Sequence, residues 1–370
     1  MRALAIVPGT SKLQMVDRPE PEIAHPDDVL MRVLQVGICG TDRDEASGGR
    51  CEPAAGSSDL VIGHEMLGRV LAVGDKVTTV RAGDFAVITV RRGCDQCLSC
   101  AMGRPDMCTS GEYRERGISG LDGYNAERVV DSEAYVVRMP AEIARVGVLT
   151  EPLSVVEKAI HEATRIQLER LPAAAATPDW LHDRRCLVAG LGPVGLLAAM
   201  VLRLRGADVY GLDIVDENSA RPQWLEHIGG RYIDARKLPA NQLRQHIGRM
   251  QFVFEATGAP RLTLNLIDAL DYNGAYVLTG IPSGHCLTEW AACDLLRAIV
   301  LDNQIIIGSV NAARGHYEMA VDDLLHANSR WPDHIEKLIT HRCRPADAVK
   351  ALQQHPADEI KAIVEWSSIS

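Results

Sequence analysis

The chain has 370 residues, 46% of them hydrophobic and 24% charged, with a formal net charge of −10. That length exceeds what one ordinary core fills and calls for two domains with a cleft between them for a small molecule. The composition excludes disorder, the acidic balance without a basic stripe excludes a nucleic-acid partner, and no stretch approaches the roughly 20 apolar residues of a membrane span.

The opening Met1-Arg-Ala-Leu-Ala-Ile-Val-Pro-Gly9 is too short an apolar run for a signal segment, so a cytoplasmic location is expected. From Ala3 to Val137, short apolar runs such as Val29–Leu34 and Phe85–Val90 are broken by glycine and proline, the pattern of an irregular, mostly antiparallel β domain. Within it lie Cys39-Gly-Thr-Asp42 and Gly63-His64-Glu65, and later comes Glu151-Pro152. A thiolate, an imidazole and a carboxylate hold zinc and leave a position open for water or a substrate oxygen, the arrangement that Lewis-acid catalysis needs. Each piece alone is unremarkable, since a single histidine is more often a core or surface residue; the reading needs the motifs of the chain's second half beside it.

Four of the ten cysteines, Cys94, Cys97, Cys100 and Cys108, form C-x2-C-x2-C-x7-C on a loop flanked by Gly93, Gly103 and Pro105. Four thiolates on a short loop close a tetrahedral structural zinc site. An iron–sulfur cluster is the competing ligand, but the fourth cysteine comes seven residues late and is followed by Thr109 instead of proline. Disulfides suit a small secreted chain better than this one.

Around Leu149 to Arg170 the period becomes helical, and Leu171–Asp179 reads as a surface loop. Five strand-like runs, beginning at Cys186, Asp208, Phe252, Ala275 and Gln304, then alternate with helical stretches, which indicates a parallel, doubly wound sheet. Between the first strand and its helix stands Gly190-Leu-Gly192-Pro193-Val194-Gly195. These glycines permit a tight turn and close approach of the backbone to a pyrophosphate at a helix N-terminus. Asp213 ends the next strand, 18 residues after Gly195, where a carboxylate accepts hydrogen bonds from ribose hydroxyls. A helical run from Asn311 through Leu325 and a strand near Ile360 to Trp366 return to the first domain. The expected division is a catalytic zinc-binding domain over 1–165 and 311–370, with a dinucleotide domain inserted at 180–310.

With Arg91-Arg-Gly-Cys94, Gly111-Glu-Tyr-Arg-Glu-Arg-Gly117, Glu151-Pro-Leu-Ser154, Glu255-Ala-Thr-Gly258 and Gly308-Ser-Val-Asn311 added to these motifs, the chain resembles the zinc-containing medium-chain alcohol dehydrogenases, and among them the glucose dehydrogenases, over nearly its whole length. The resemblance implies an α/β fold: an irregular β-rich GroES-like catalytic domain plus a doubly wound Rossmann domain. It implies catalytic zinc at Cys39 and His64 with Glu65 and Glu151 as carboxylates, Thr41 as proton relay, and Glu112, Glu151 and Asn311 toward an aldose. Thr257 and Asn311 would face the cofactor. Val155, Val90 and Leu301 or Asp302 depart from residues that some relatives use for the sugar.

The activity so implied is oxidation of the C1 hydroxyl of an aldose, D-glucose first, to the lactone, with hydride transfer to a nicotinamide dinucleotide. NAD is expected over NADP, because Asp213 would repel a 2′-phosphate and is followed by Ile214 and Val215 where relatives often carry arginines; Arg205 and Arg221 read as solvated surface charges. A homodimer or homotetramer is implied too. The alternatives are a dehydrogenase of another aldose, a polyol or a secondary alcohol, and, from a different class, a non-catalytic zinc protein that binds NAD.

Overall fold

The computed structural model describes residues 1–10, 12–49, 51–172, 179–282 and 291–369. Its chain divides into two compact units, Met1–Ser154 with Asn311–Ser370, and Val155–Val310. The division falls inside the helix Thr150–Arg170 rather than after residue 165, because that helix runs unbroken from one unit into the other. Of the loop expected over Leu171–Asp179, residues 173–178 lie outside the described residues.

In the first unit the long strand Asp28–Ile38 is buried almost throughout, since it pairs with Glu65–Val73, Arg128–Ser132 and Lys361–Glu365. Around it the seven-stranded sheet runs in the order 136–139, 85–88, 65–73, 28–38, 361–365, 339–343, with 128–132 also on 28–38. Val29, Met31, Val33, Val36, Met66 and Tyr124 fill its core. A small sheet, 91–92 with 114–116 and 120–121, stands at the base of the cysteine loop. The strand Ile339–Cys343 was not anticipated, because its sequence Ile-Thr-His-Arg-Cys has only two apolar ends and an edge position that leaves its middle polar.

The second unit is a six-stranded sheet in the order 231–234, 208–213, 185–189, 250–255, 270–278, 305–308, every neighbouring pair parallel. Numbered along the chain, that is 3-2-1-4-5-6, the doubly wound dinucleotide-binding order. Five of these strands were expected; the sixth, Arg231–Asp234, is four residues long and half polar, too short for an alternation to register. Leu187, Val253, Leu266 and Tyr276 are among the fully buried residues of its core.

Candidate active site and its metal donors

Register brings the first donors together. Gly37 lies opposite Glu65 on one side of the central strand, and Ile38 opposite Ala362 on the other. Cys39 leaves the end of that strand, His64 and Glu65 open the next, and Lys361 opens the third. The ligand atoms of Cys39, His64 and Glu65 lie within 4.8 Å of one another. A Cβ on Gly37 would stand 1.9 Å from Glu65 Oε2 and 2.9 Å from Lys361 Cε, so only glycine leaves room for the Glu65–Lys361 ion pair, both partners of which are buried.

Two residues that sequence reasoning left without a role support these donors. Asp42 accepts the Cys39 backbone N–H at 2.8 Å through Oδ2, and its Oδ1 stands 3.4 Å from His64 Nδ1. This leaves Nε2 as the ring nitrogen for an ion, the carboxylate–histidine support common behind metal ligands. Burial opposes both charges, yet the attraction between Asp42 and His64 outweighs it, holding the carboxyl below and the imidazole well above their ordinary values. A proton on His64 thus takes the place of a cation. Lys361 is the second: despite burial, Glu65 and Cys39 keep its ammonium charged. Thr41 is half-buried beside the donors, its N–H on Cys39 Sγ at 3.2 Å.

Glu151 lies outside the three-donor group, half-buried at the start of its helix. Burial pushes its carboxyl up to about 7; Glu65 adds to the rise, while His64 and Lys361 oppose it. Glu45, on the helix after Cys39, is 2% exposed with both carboxyl oxygens buried, and burial with Asp42 pushes it up to about 8. The donors, a soft thiolate, an imidazole and a carboxylate, fit an open zinc site.

The sulfurs of Cys94, Cys97, Cys100 and Cys108 also lie within 4.8 Å of one another. Backbone N–H groups of Thr109 and Cys100 pull the Cys97 thiol down to about 5, and the Ser110 hydroxyl helps bring Cys108 down to about 7; burial pushes Cys100 up to about 12. At Gly93 a Cβ would meet Cys100 Sγ at 2.4 Å. Leu98 and Met102 in this lobe are 77% and 73% exposed, so it has little apolar core and fits a metal as its centre.

The expected sugar contact Glu112 is not brought in. It is exposed, its N–H donating to Ser110 Oγ at 3.0 Å, because Gly111 turns the chain outward in a left-handed conformation of φ 78°. Glu115, three residues on, is half-buried instead: its Oε1 accepts Asn311 Nδ2 at 2.5 Å, and its charge reaches Glu45. The alternation of Arg114-Glu115-Arg116 was the signal that could have found it. Val90 is buried, Val155 half-buried, and Asp302 is engaged with Arg249 at 2.7 Å.

In the second unit Gly190 has φ 87°, and a Cβ on Gly195 would stand 1.8 Å from Gly190 O. Nothing lies within 4 Å of a Cβ built on Gly192, which caps the helix Pro193–Leu204 that Pro193 and Val194 open. That bare backbone at a helix N-terminus fits a pyrophosphate. Asp213 accepts the N–H groups of Leu191 and Ile214 at 2.7 and 2.6 Å, so it also ties down the glycine turn. The surface reading of Arg221 is corrected: it is only 19% exposed at its side chain and stands 3.8 Å from Asp213 Oδ2, whereas Arg205 pairs with Glu157 and Asp179. The Thr257 hydroxyl is bound to Glu255, whose Oε1 also accepts the N–H groups of Thr257 and Gly258 at 2.7 and 3.0 Å.

Residues 144–366 match the family described as glucose dehydrogenase C-terminus, and residues 25–141 the alcohol dehydrogenase GroES-like domain. A glucose 1-dehydrogenase of Methanocella arvoryzae is 37% identical over 370 residues, 99% of each chain. That of Thermoproteus tenax is 37% identical over 369 residues, again 99% of each. A glucose dehydrogenase of Haloferax mediterranei, solved in complex with NADP, Zn and gluconolactone, superposes with a TM-score of 0.85 at 32% identity and full coverage of both chains. Galactitol-1-phosphate dehydrogenase of Escherichia coli, TM-score 0.79 at 21% identity over 99% of this chain and 100% of that one, shares the fold.

Proposed function

The chain belongs to the zinc-containing medium-chain alcohol dehydrogenases, in their glucose dehydrogenase branch, and from that membership we propose that it oxidises the C1 hydroxyl of an aldose, D-glucose first, to the lactone, with the hydride passing to NAD(P). The observation that carries this reading is the group Cys39, His64 and Glu65 with Asp42 behind it, in a chain so similar to one solved with NADP, Zn and gluconolactone.

A zinc ion at Cys39 and His64, with Glu65 and Glu151 as its carboxylates, supplies Lewis-acid polarisation of the sugar hydroxyl. The reaction removes a proton from O1 and a hydride from C1. Thr41 relays the proton from O1 to solvent water. Glu115 and Asn311 hold ring hydroxyls, and orientation of this kind is worth on the order of 7 kcal/mol in favourable cases. Gly190, Gly192, Pro193, Val194 and Gly195 cradle the pyrophosphate, and Asp213 holds the adenosine ribose. Thr257 and Asn311 complete the cofactor contacts.

NAD is favoured, because the Asp213 carboxylate repels a 2′-phosphate; Arg221, held beside it, moderates that repulsion, so NADP is the slower alternative. The protein works in the cytoplasm as a homodimer or homotetramer. The edge strand Ile305–Gly308 and the apolar exposed residues Leu296, Val300, Leu301, Ile306 and Val310 suit a second copy of the chain. Light scattering reads the assembly. The test of activity is a panel of aldoses, polyols and secondary alcohols with both cofactors, with the lactone trapped as its hydroxamate; a polyol or simple alcohol outperforming every aldose would refute the sugar reading.

A further inference from the structure

The four-cysteine lobe is a closed loop whose two ends are the short antiparallel strands Arg91–Arg92 and Arg114–Arg116, with Arg91 opposite Glu115. Neighbouring residues on these strands do different work. Arg92 and Arg116 both bind Asp131 Oδ2, at 2.5 and 2.8 Å, which fastens the root of the lobe to the large sheet. Arg91 instead faces the lobe. Buried at 8% exposure, it donates through Nη1 to the Asp106 carbonyl at 3.2 Å, and through Nε and Nη2 to Glu115 Oε1 at 3.0 and 2.8 Å. Tyr113 lies flat beneath its guanidinium at 3.9 Å. Asp106 belongs to the turn Pro105–Met107, between the third and fourth cysteines, and Pro105 O accepts the Cys108 N–H at 3.1 Å.

Beyond Glu115 the bonds continue. The same Oε1 accepts Asn311 Nδ2, and Asn311 Oδ1 accepts the Ala312 N–H at 2.8 Å. A carboxylate only accepts and a backbone N–H only donates, so together they fix which way the carboxamide points. Asn311 holds φ 63°, in the left-handed region that asparagine tolerates. Direct bonds therefore run from the metal lobe, through one guanidinium and one carboxylate, to Asn311.

We propose that Arg91 is a positioning residue that couples metal binding in the four-cysteine lobe to the orientation of Glu115 and Asn311, so that the lobe's metal tunes sugar binding as well as stability. The lobe has little apolar core, so its shape follows its metal. When the thiolates are not drawn together, the Asp106 carbonyl shifts, Arg91 loses one of its anchors, and Glu115 no longer presents Asn311 in one orientation. The coupling concerns the chain itself; its effect on sugar rests on the sugar reading given above.

The test is a cycle of four proteins: the wild type, Cys97→Ser, Arg91→Met and the double variant, followed by hydrogen exchange of the peptide covering residues 309–316. Cys97→Ser should speed exchange there about 5-fold or more in the wild-type background and less than about 2-fold with Arg91→Met. Equal acceleration in both backgrounds, or none in the wild type, overturns the proposal. Where Cys97→Ser or Arg91→Met does not fold, Cys108→Ser and Arg91→Lys complete the cycle, since lysine keeps the charge and loses the fork. With D-glucose as probe, Arg91→Met should raise KM about 10-fold and change kcat less than about 2-fold. Should the wild type turn over no aldose, the sugar reading falls, and the exchange cycle still decides the coupling.

Discussion

The first unit holds two clusters of metal donors, and they are built by opposite means. Cys39, His64 and Glu65 stand at the ends of neighbouring strands in a buried sheet, where pairing has already fixed their positions and a lysine and an aspartate balance their charges. The four cysteines come from one continuous stretch of loop, half-buried, with backbone N–H groups in place of a core. In the first cluster the fold makes the site; the second has the donors for an ion that would hold its loop together. An open donor set on a rigid frame suits chemistry, and a closed set on a soft loop suits structure.

Single cysteines separate the two most sharply. Cys39→Ala should lower kcat/KM by about 10³-fold or more, the scale on which the chief electrostatic stabiliser acts, with the melting temperature little changed. Cys97→Ala should instead cost more than about 4 kcal/mol of stability, as loss of a structural metal does, and it should leave kcat largely intact at low temperature. Steady-state kinetics and calorimetry on both variants check this; similar profiles would break the contrast.

A smaller effect concerns pH. In the metal-free protein the folded-state value of His64 is raised, so its stabilising charge is fully present below the unfolded value of about 6.5 and is lost as pH rises through the folded value. Zinc must displace that proton, so affinity at this site should climb with pH over the same window. Asp42→Asn should flatten the climb and weaken zinc by about 10- to 100-fold. Competition titrations against a chromophoric chelator at several pH values measure both, and a climb unaltered by the substitution would show that Asp42 does not hold the proton.

The smallest effect lies at the lobe's root. Glu115→Ala should raise KM for glucose by an amount equivalent to about 1–3 kcal/mol, while Glu112→Ala should change it less than about 2-fold. The reverse ranking would return the sugar contact to the exposed turn.

The clusters also differ in how far the sequence discloses them. Cysteine spacing announces the lobe because all its donors are local, and the glycine turn with Asp213 announces the dinucleotide unit for the same reason. Cys39, His64 and Glu65 could be named from short motifs, but their supports could not. Lys361 opens an apolar strand and looks like a solvated strand end; only pairing across the central strand sets it against Glu65. Glu112 and Glu115 are two acids three residues apart that sequence alone cannot tell apart; a left-handed glycine sends the first to solvent. Arg221 read as surface charge for want of knowing that its helix returns to Asp213.

The late position of Lys361 bears on how the enzyme is made. Cys39, His64 and Glu65 leave the ribosome early, yet the ammonium that neutralises Glu65 lies roughly 300 residues further on, in the final strand. At bacterial or eukaryotic elongation speeds of about 5–20 residues per second, that is roughly 15–60 s of synthesis. Throughout it the central strand has an open edge, and Glu65 lacks its counter-charge. The cysteine lobe can be metallated as soon as Cys108 emerges. The open site gains its counter-charge only when Lys361 follows, roughly 250 residues later, so the lobe's ion is expected to bind first.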